Sequence, residues 1–231
     1  MRKRLRDKLS DALPQEQLGR VYNSFDTIGD IAIVKHNNLQ NAEVVAEQIM
    51  AVNRNIKTVL TPIGRITGDF RVRELKLLAG ENKTCTSHRE SGCVFRVDVE
   101  KCYFSPRLSY EHRRIAELVK PGEVVVNMFA GVGCFSIVIA KTQSQTKTYS
   151  IDVNPTAVQY MEENVKINQV SDSVFPILGD AKEIIQTRLQ GVADRVLMPL
   201  PEKALEYLPY ALLALKKKGG WIHYYDFQHA P

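Results

Sequence analysis

The stretch from residue 124 to residue 136, VVVNMFAGVGCFS, constrains the fold more than any other part of the chain. Its apolar beginning predicts a buried strand, and the residues after Gly133 predict the first turn of a helix. Glycines at 131 and 133 let backbone amides approach a ligand closely, and the unpaired N–H groups of a helix start suit a carboxylate or phosphate. The stretch therefore predicts a strand, a ligand-binding turn and a helix in succession.

Two acidic residues further along the chain restrict the ligand. Asp152 closes a second strand-like run, YSID, and Asp180 closes a third, ILGD. The first carboxylate can accept hydrogen bonds from a ribose diol, and the second is well placed for an adenine edge. Because the turn lacks the third glycine of the dinucleotide fingerprint, a pyrophosphate cofactor is less favoured. The ordered series predicts S-adenosyl-L-methionine as the cofactor, and helix capping is the alternative role for both acids.

Helical and strand-like segments alternate from residue 113 onward. The predicted strands cover residues 123–128, 147–151, 174–178, 195–198 and 220–225. This alternation predicts an α/β fold with a doubly wound, mainly parallel sheet. Together with the cofactor predicted above, it is expected to be a Rossmann-like class I methyltransferase domain. That fold normally adds two more strands, so we expect its C-terminal strands to be missing from this sequence.

The first hundred residues show a different pattern. We predict helices at 1–17 and 40–53, strands at 22–25, 31–34, 58–60 and 71–78, a turn-rich link at 64–68, and a β-hairpin over 83–97 around Ser91-Gly92. The chain is thus expected to comprise a small α+β domain at residues 1–97 and the cofactor-binding domain at residues 98–231.

The positive charge of the chain is concentrated in its first half. Residues 1–120 carry 21 Lys and Arg against 15 Asp and Glu, whereas residues 121–231 carry 10 against 11. A basic half joined to a neutral half fits a polyanionic substrate. An ordinary solvated basic surface is the alternative.

Membrane and secretory classes do not fit the sequence. No run reaches the roughly eighteen apolar residues of a membrane span, and the basic start MRKRLR has no apolar stretch behind it, unlike a signal peptide. The four cysteines form no CxxC pair, which is typical of reduced thiols in a cytosolic protein. A zinc site would need further ligands beside His88. We therefore expect a cytoplasmic protein with neither a metal nor a membrane contact.

Residues 99–114, VEKCYFSPRLSYEHRR, link the two predicted domains. Ser105-Pro106-Arg107 is incompatible with a helix interior, so we predict a loop that enters a helix. Ligands bind at loops beside the first glycine turn of a parallel sheet, and this loop offers a tyrosine hydroxyl, Glu111, His112 and three arginines. The alternative is a plain linker in which Glu111 interacts with the helix dipole.

A family resemblance rests on three segments. These are the string Tyr103-Phe104-Ser105-Pro106-Arg107-Leu108 with Glu111 shortly after it, residues 124–136, and residues 197–204. Together they resemble the archaeal tRNA (guanine-37) N1-methyltransferase family over nearly the whole chain. A sister family, which transfers the aminocarboxypropyl group of the same cofactor in wyosine synthesis, usually has a Phe-Ser-x-Gly-Asn type string here.

The resemblance implies an activity and a set of site residues. The activity is methylation of ring N1 of guanosine-37 in tRNA, with that base extruded from the anticodon stem-loop. The protein is expected to act as a monomer. Guanine N1 carries a proton, so Glu111 is the implied general base, Arg71 would stabilise charge on O6, and Tyr103 would stack on or wall the base. The implied cofactor-binding residues are His112, Phe129, Gly131, Gly133, Asp152, Val153, Asp180, Ala181 and Pro199.

Three positions depart from the pattern of that family. Asn127 stands where the family usually has Asp, Pro199 where it usually has Asn, and His112 where it commonly has Arg. The first change removes a charge near the methionine moiety of the cofactor, and the third leaves Arg113 as a neighbour able to substitute. Two alternatives stay open: an aminocarboxypropyl transferase or bifunctional wyosine-pathway methyltransferase, and a non-catalytic tRNA-binding module with a degenerate pocket.

Overall fold

A computed structural model of the chain describes residues 25–35, 42–68 and 72–227. The helix predicted at 1–17 and most of the strand predicted at 22–25 lie outside these ranges. The chain divides into two compact units. The N-terminal unit runs to His88 and includes Asp98–Lys101, and the C-terminal unit comprises Arg89–Val97 and the chain from Cys102 onward. The division therefore lies within the predicted hairpin, whereas the sequence pattern put it at residue 97.

A mixed four-stranded sheet and one helix form the N-terminal unit. Its elements are β1 (Asp26–Ile28), β2 (Ile31–Ile33), α1 (Ala42–Val52), β3 (Thr58–Thr67) and β4 (Val72–Gly80). The sheet order is β1-β2-β3-β4, and only β2 and β3 run parallel. The buried face of α1 supplies the core of this unit with Val45, Ala46 and Ile49. The small α+β architecture is thereby confirmed.

The turn-rich link predicted at residues 64–68 is wrong. Strand β3 continues to Thr67, and its pairing with β4 shifts register between Ile63 and Thr67. Gly64 has a φ of +78°, a conformation that L side chains rarely adopt. The glycine thus marks an irregularity within a strand pair, as glycines inside strands often do, and not the end of the strand.

The predicted hairpin is present, with strands β5 (Cys85–Glu90) and β6 (Cys93–Asp98) forming a two-stranded sheet. Its two loop residues both have positive φ, 48° at Ser91 and 75° at Gly92. This is the geometry of the tight turn whose twist matches that of the flanking strands. The loop end of the hairpin belongs to the C-terminal unit.

The C-terminal unit contains a five-stranded sheet in which every neighbouring pair is parallel. Its elements are α2 (Ser109–Leu118), β7 (Val124–Asn127), α3 (Cys134–Thr142), β8 (Lys147–Asp152), α4 (Pro155–Ile167), β9 (Val174–Leu178), α5 (Ala181–Arg188), β10 (Arg195–Met198), α6 (Pro201–Ala214) and β11 (Trp221–Tyr224). The sheet order is β11-β10-β7-β8-β9, so the chain reverses direction across the sheet at β7. This confirms the predicted Rossmann-like α/β fold, and the reversal marks the edge where such sheets bind ligands.

Two asparagines attach the hairpin to helix α4: Asn164 within the helix and Asn168, which follows its last residue. Asn164 accepts a hydrogen bond from the Arg96 backbone N–H at 2.7 Å and donates to the Arg96 carbonyl at 3.0 Å. Asn168 repeats the pattern one turn later, with Val94 N–H at 2.9 Å and the Val94 carbonyl at 2.7 Å. Each side-chain amide thus both donates to and accepts from the backbone of one β6 residue, as the backbone of a neighbouring strand would. The two asparagines are four residues apart, about one helical turn, and their partners are two residues apart on the same side of the strand.

No helix in the part of the chain that the structure describes has the length and apolar character to cross a membrane.

Candidate cofactor and active site

The glycine turn after β7 is open on the side where a ligand would lie. Gly131 has a φ of +55°, and a Cβ built there would approach only the Tyr103 carbonyl, at 3.9 Å. Gly133 has a φ of +94°, and a Cβ there would lie 2.9 Å from Met161 Cγ. Gly133 also begins helix α3, and no side chain caps that helix. The first glycine therefore serves conformation and ligand access, the second serves packing, and the helix start offers backbone donors.

Asp152, at the end of β8, contacts the glycine turn directly. Its Oδ2 accepts the Gly131 N–H at 2.6 Å, and its Oδ1 accepts the Asn154 N–H at 2.9 Å. Burial raises the pKa of this carboxyl above its ordinary value, although these backbone N–H groups act in the opposite direction. The Asp152 carboxylate thus presents acceptor oxygens beside the glycine turn, which binding of a ribose diol requires.

Asp180 caps helix α5 and also receives a tyrosine hydroxyl. Its Oδ1 accepts the Lys182 N–H at 2.7 Å, and its Oδ2 accepts Tyr207 Oη at 2.8 Å. Tyr207 belongs to α6, and its ring meets that of Phe129 edge-on at 5.0 Å between centroids. The capping role is thus present, and Phe129 of the turn is joined to Asp180 through one intervening aromatic ring.

Asn127, where the related family usually has Asp, is fully buried at the end of β7. Its Nδ2 donates to Ser136 Oγ at 3.1 Å, and Ser136 Oγ also receives the Ser150 hydroxyl at 2.7 Å. The Asn127 Oδ1 has no hydrogen-bond partner among the described residues. A buried carbonyl oxygen without a donor is unfavourable, so a bound donor group would stabilise it.

Glu111 lies in the first turn of α2, and three hydrogen bonds hold its carboxylate. Arg114 Nε donates to Oε2 and Arg114 Nη2 to Oε1, each at 2.7 Å, while Tyr225 Oη donates to Oε1 at 2.5 Å. Arg114 first, and Tyr225 in addition, hold the pKa of Glu111 below its usual range against the opposing effect of burial. The Glu111 carboxylate is therefore ionised at neutral pH.

The ring of Tyr225 places this cluster beside helix α3. Tyr225 follows β11, and its ring centroid lies 6.2 Å from that of Phe135, in the first turn of α3. His223 of β11 stands nearby, and its Nε2 accepts from Arg195 Nη1 at 2.7 Å. Burial and the adjacent Arg195 charge lower the pKa of His223 to about 4, so the imidazole is neutral. Glu111 thus has a cationic Arg114 and neutral ring groups around it.

His112 points away from Glu111 into a buried cluster. Its Nδ1 shares a hydrogen bond of 2.7 Å with Glu90 Oε1, and its ring packs against Phe135 at 4.4 Å. The ligand-type atoms of Glu90, His112 and Cys134 all lie within 4.8 Å of one another. Burial raises the pKa of the Cys134 thiol well above its usual value, which keeps it protonated. The cluster is thus a hydrogen-bonded carboxyl–imidazole pair next to a thiol.

The remaining sequence-predicted site residues occupy varied positions. Tyr103 and Val153 are exposed, Ala181 is buried at the start of α5, and Pro199 is half-buried after β10. The Tyr103 carbonyl faces Gly131, so this residue lies beside the glycine turn. Arg71 lies outside the described residues.

Sequence reasoning missed Arg114, Tyr225 and Tyr207 as parts of this region. The contact between Arg114 and Glu111 could have been predicted, because residues three apart on a helix lie on the same face. The grounds for predicting Tyr225 as a site residue were weaker. It stands just beyond the carboxyl end of a strand, where parallel sheets bind ligands. No local pattern distinguishes Tyr207 from Tyr210, the other aromatic residue of its helix.

A parallel sheet with a glycine turn after its central strand and an acid at the end of the next strand is typical of Rossmann-like nucleotide-binding domains, which include the class I methyltransferases. The family described as the TRM5/TYW2 methyltransferase domain matches residues 86–230, and the family described as the TYW2 N-terminal domain matches residues 5–84. The chain belongs to the TRM5/TYW2 methyltransferase family, which confirms the family predicted from its sequence.

Individual relatives fall into both branches of this family. The tRNA (guanine(37)-N(1))-methyltransferase Trm5b of Pyrococcus abyssi is 44% identical over 217 residues, which are 93% of this chain and 63% of that protein. Its crystal structure matches with a TM-score of 0.82. The tRNA(Phe) (4-demethylwyosine(37)-C(7)) aminocarboxypropyltransferase of Methanocaldococcus jannaschii is 37% identical over 204 residues, 87% of this chain and 77% of that protein.

A third relative concerns the cofactor. The crystal structure of M. jannaschii TYW2 in complex with AdoMet matches with a TM-score of 0.65 and 33% identity, covering 87% of this chain and 75% of that one. The prediction of S-adenosylmethionine is thereby confirmed at the level of the family. The chain spans 63% of the length of Trm5b, so its complete activity and its substrates are taken up below as proposals.

Proposed function

We propose that this chain catalyses S-adenosylmethionine-dependent methylation of N1 of guanosine-37 in tRNA. One observation carries the proposal: Glu111 is held as an ionised carboxylate by Arg114 and Tyr225. Tyr225 in turn packs on Phe135, in the helix that follows the glycine turn. Transfer to guanine N1 requires the loss of the N1 proton, and this cluster supplies an acceptor beside the cofactor-binding turn.

The residues of the turn fit S-adenosylmethionine. The open face of Gly131 and the uncapped start of α3 suit the close approach of a ligand. Asp152 would accept the ribose hydroxyls, Asp180 the adenine amino group, and Asn127 Oδ1 a donor such as the cofactor ammonium. Phe129, Val153, Ala181 and Pro199 are proposed to line the same site. When bound, the cofactor supplies an electrophilic methyl group.

The chain's own residues would handle the proton and the base. Glu111 would take the N1 proton as the new N–CH₃ bond forms, and its low pKa ensures that it is ionised before the reaction. Tyr103 is proposed to stack on or wall the extruded guanine, and Arg71 to stabilise the charge on O6. Because Glu90 holds His112 Nδ1, His112 would meet the carboxylate of the cofactor only through Nε2, which donates a hydrogen bond when both ring nitrogens are protonated.

The positive charge of the first 120 residues supports tRNA as the partner. Their excess of 21 basic over 15 acidic residues suits a phosphate backbone, and the anticodon stem-loop is the proposed contact.

Aminocarboxypropyl transfer is the second candidate function. The match of residues 5–84 to the TYW2 N-terminal domain favours it, as does the 37% identity to an aminocarboxypropyltransferase. The string Ser105-Pro106-Arg107 favours the methyl reaction, because the sister family usually carries a different string at this position. The same cofactor serves both reactions, so the fold of the cofactor site does not separate them.

A dual-label experiment separates the candidates. Purified protein is incubated with S-adenosylmethionine labelled either in its methyl group or in its carboxyl carbon, and with tRNA transcripts carrying guanosine or adenosine at position 37. We expect methyl label in N1-methylguanosine, no carboxyl label, and no product from the adenosine transcript. Carboxyl label on a tRNA that carries 4-demethylwyosine would instead support the second candidate. Absence of both labels, with tRNA still bound, would support a non-catalytic module.

Glu111→Gln provides the matched variant, because glutamine preserves shape but cannot take the proton. We expect the single-turnover methylation rate to fall about 10²–10⁴-fold. Cofactor and tRNA affinities should stay within a few-fold, because the lost interaction belongs to the transition state. A near-normal methylation rate in this variant would show that Glu111 only interacts with the helix dipole and that another residue is the general base.

A further inference from the structure

The two carboxylate oxygens of Glu111 accept different numbers of hydrogen bonds. Oε1 accepts two donors, Tyr225 Oη and Arg114 Nη2, whereas Oε2 accepts one, Arg114 Nε. A carboxylate oxygen has two acceptor positions. Oε1 is therefore filled, and among the described residues no further donor occupies the second position of Oε2.

We propose that Tyr225 is a positioning residue for the general base, and that it fills Oε1 so that Oε2 receives the proton from guanine N1. This inference rests on the proposed function of Glu111. The proton moves from N1 to Oε2 while the N1–CH₃ bond forms and the S–CH₃ bond breaks, which leaves Glu111 neutral. Tyr225 acts through Glu111 and does not itself exchange a proton.

Two features support a positioning role for Tyr225. Arg114 stands three residues from Glu111 on the same helix, so this pair by itself does not tie the carboxylate to another element of the fold. Tyr225 comes from the other end of the C-terminal unit, 114 residues along the chain, and its ring is fixed by packing on Phe135. A donor from a separate element therefore restrains the orientation of the carboxylate in a way that its helix neighbour does not.

The groups facing Glu111 set its titration. They are Arg114 on its own helix, His223 on β11 and Tyr225 after β11. His223 remains neutral near neutral pH because burial and Arg195 disfavour its charged form. Burial and the neighbouring Glu111 carboxylate raise the pKa of Tyr225, so its hydroxyl stays protonated and donates near neutral pH.

Tyr225→Phe tests the proposal, with Tyr224→Phe as the matched control. Phenylalanine keeps the ring contact with Phe135 and removes only the hydroxyl. Tyr224 undergoes the same chemical change one residue away and has no hydrogen bond to Glu111. The measurements are the pH profile of single-turnover methylation and the NMR titration of the Glu111 side-chain carboxyl, assigned with Glu111→Gln.

We expect Tyr225→Phe to move the Glu111 titration and the acidic limb of the rate profile upward together, by about one pH unit. The rate on the plateau should fall roughly tenfold, since the carboxylate is no longer held in one orientation. Cofactor and tRNA affinities should remain within about twofold of the unaltered protein. Tyr224→Phe should leave the titration and the profile unchanged.

Three results would count against the proposal. An unchanged carboxyl titration in Tyr225→Phe would show that the hydroxyl does not act on Glu111. A shifted titration with an unshifted rate profile would show that Glu111 ionisation does not limit transfer. Absence of N1-methylguanosine with the unaltered protein would refute the proposed function, and the role of Oε2 with it, while the titration would still decide the Tyr225 contact.

Discussion

Asn164→Ala should destabilise the C-terminal unit and weaken cofactor binding at the same time. The Asn164 side chain is fully buried and makes three hydrogen bonds to backbone groups. Two of them hold Arg96 of the hairpin, and the third, from Nδ2 to the Val132 carbonyl at 3.1 Å, holds the glycine turn itself. Alanine removes all three and leaves their backbone partners, which are partly or fully buried, without this hydrogen bond.

The magnitude follows from the number and burial of the lost bonds. A hydrogen bond in a folded protein contributes about 1 kcal/mol net, and a buried partner left without one costs about 1–3 kcal/mol. We therefore expect a loss of about 3 kcal/mol in the free energy of unfolding. For a chain of this size the corresponding fall in Tm is roughly 6–12 °C. Cofactor affinity should fall about 3–10-fold because the turn loses its anchor at Val132.

Asn168→Ala is the matched control. Asn168 also makes three hydrogen bonds, to Val94 N–H, the Val94 carbonyl and the Asn164 carbonyl, but none to the glycine turn. We expect a similar loss of stability with cofactor affinity within about twofold of the unaltered protein. Thermal denaturation gives the stability, and calorimetric titration with S-adenosylmethionine below the transition gives the affinity. Equal affinities in the two variants would refute the coupling between Asn164 and the turn.

Three further predictions concern the cofactor, the RNA and the pH dependence of stability. Asp152→Ala should weaken S-adenosylmethionine binding by roughly 1–3 kcal/mol, since it leaves polar groups of the ligand and the turn unpaired; an unchanged calorimetric affinity would contradict its assignment to the ribose. The affinity for tRNA should fall steeply between low and moderate salt, and a flat binding constant would exclude a phosphate-dominated contact. Burial opposes ionisation of Asp194, but hydrogen bonds from Lys216, the Val124 N–H and Lys218 outweigh it and lower the pKa from 3.8 to about 2. The stability that Asp194 contributes is therefore complete above about pH 4 and lost toward pH 2, so Asp194→Asn should destabilise the protein by roughly 2 kcal/mol at pH 7 and much less in acid. Equal urea midpoints of both proteins at pH 7 would contradict this.

Local patterns were sufficient to predict the framework of the cofactor site. Apolar runs bounded by glycine and acidic residues identify β7 and β8, and their alternation with helices implies a parallel sheet. In such a sheet the ends of neighbouring strands meet at one edge, so Asp152 had to lie close to the turn that contains Gly131. The hydrogen bond of 2.6 Å between them is the outcome. The hairpin around Ser91-Gly92 was predictable for a similar reason, because a tight turn depends on two residues alone.

Burial of polar side chains was not predictable in the same way. His112 follows Glu111 directly, and on a helix adjacent residues point in different directions. The pattern does not say which of the two faces the interior. In the structure His112 packs between Glu90 and Phe135, and Glu111 lies toward Tyr225. Likewise Gly64 resembles a turn residue, and only the pairing with β4 shows that the strand continues past it.

The sequence by itself determined the class of fold, the position of the glycine turn, the acid that meets it and the family. All of these depend on backbone conformation and on the periodicity of apolar residues, which are local properties. The tertiary structure alone decided that Tyr225 reaches the Glu111 carboxylate and that Asn164 ties the turn to the hairpin. These contacts join residues whose separation along the chain carries no periodic signal, because they depend on which elements pack against one another. The chemistry proposed for Glu111 depends on the Tyr225 contact, since it helps to lower the pKa of the carboxyl and adds a second donor to Oε1.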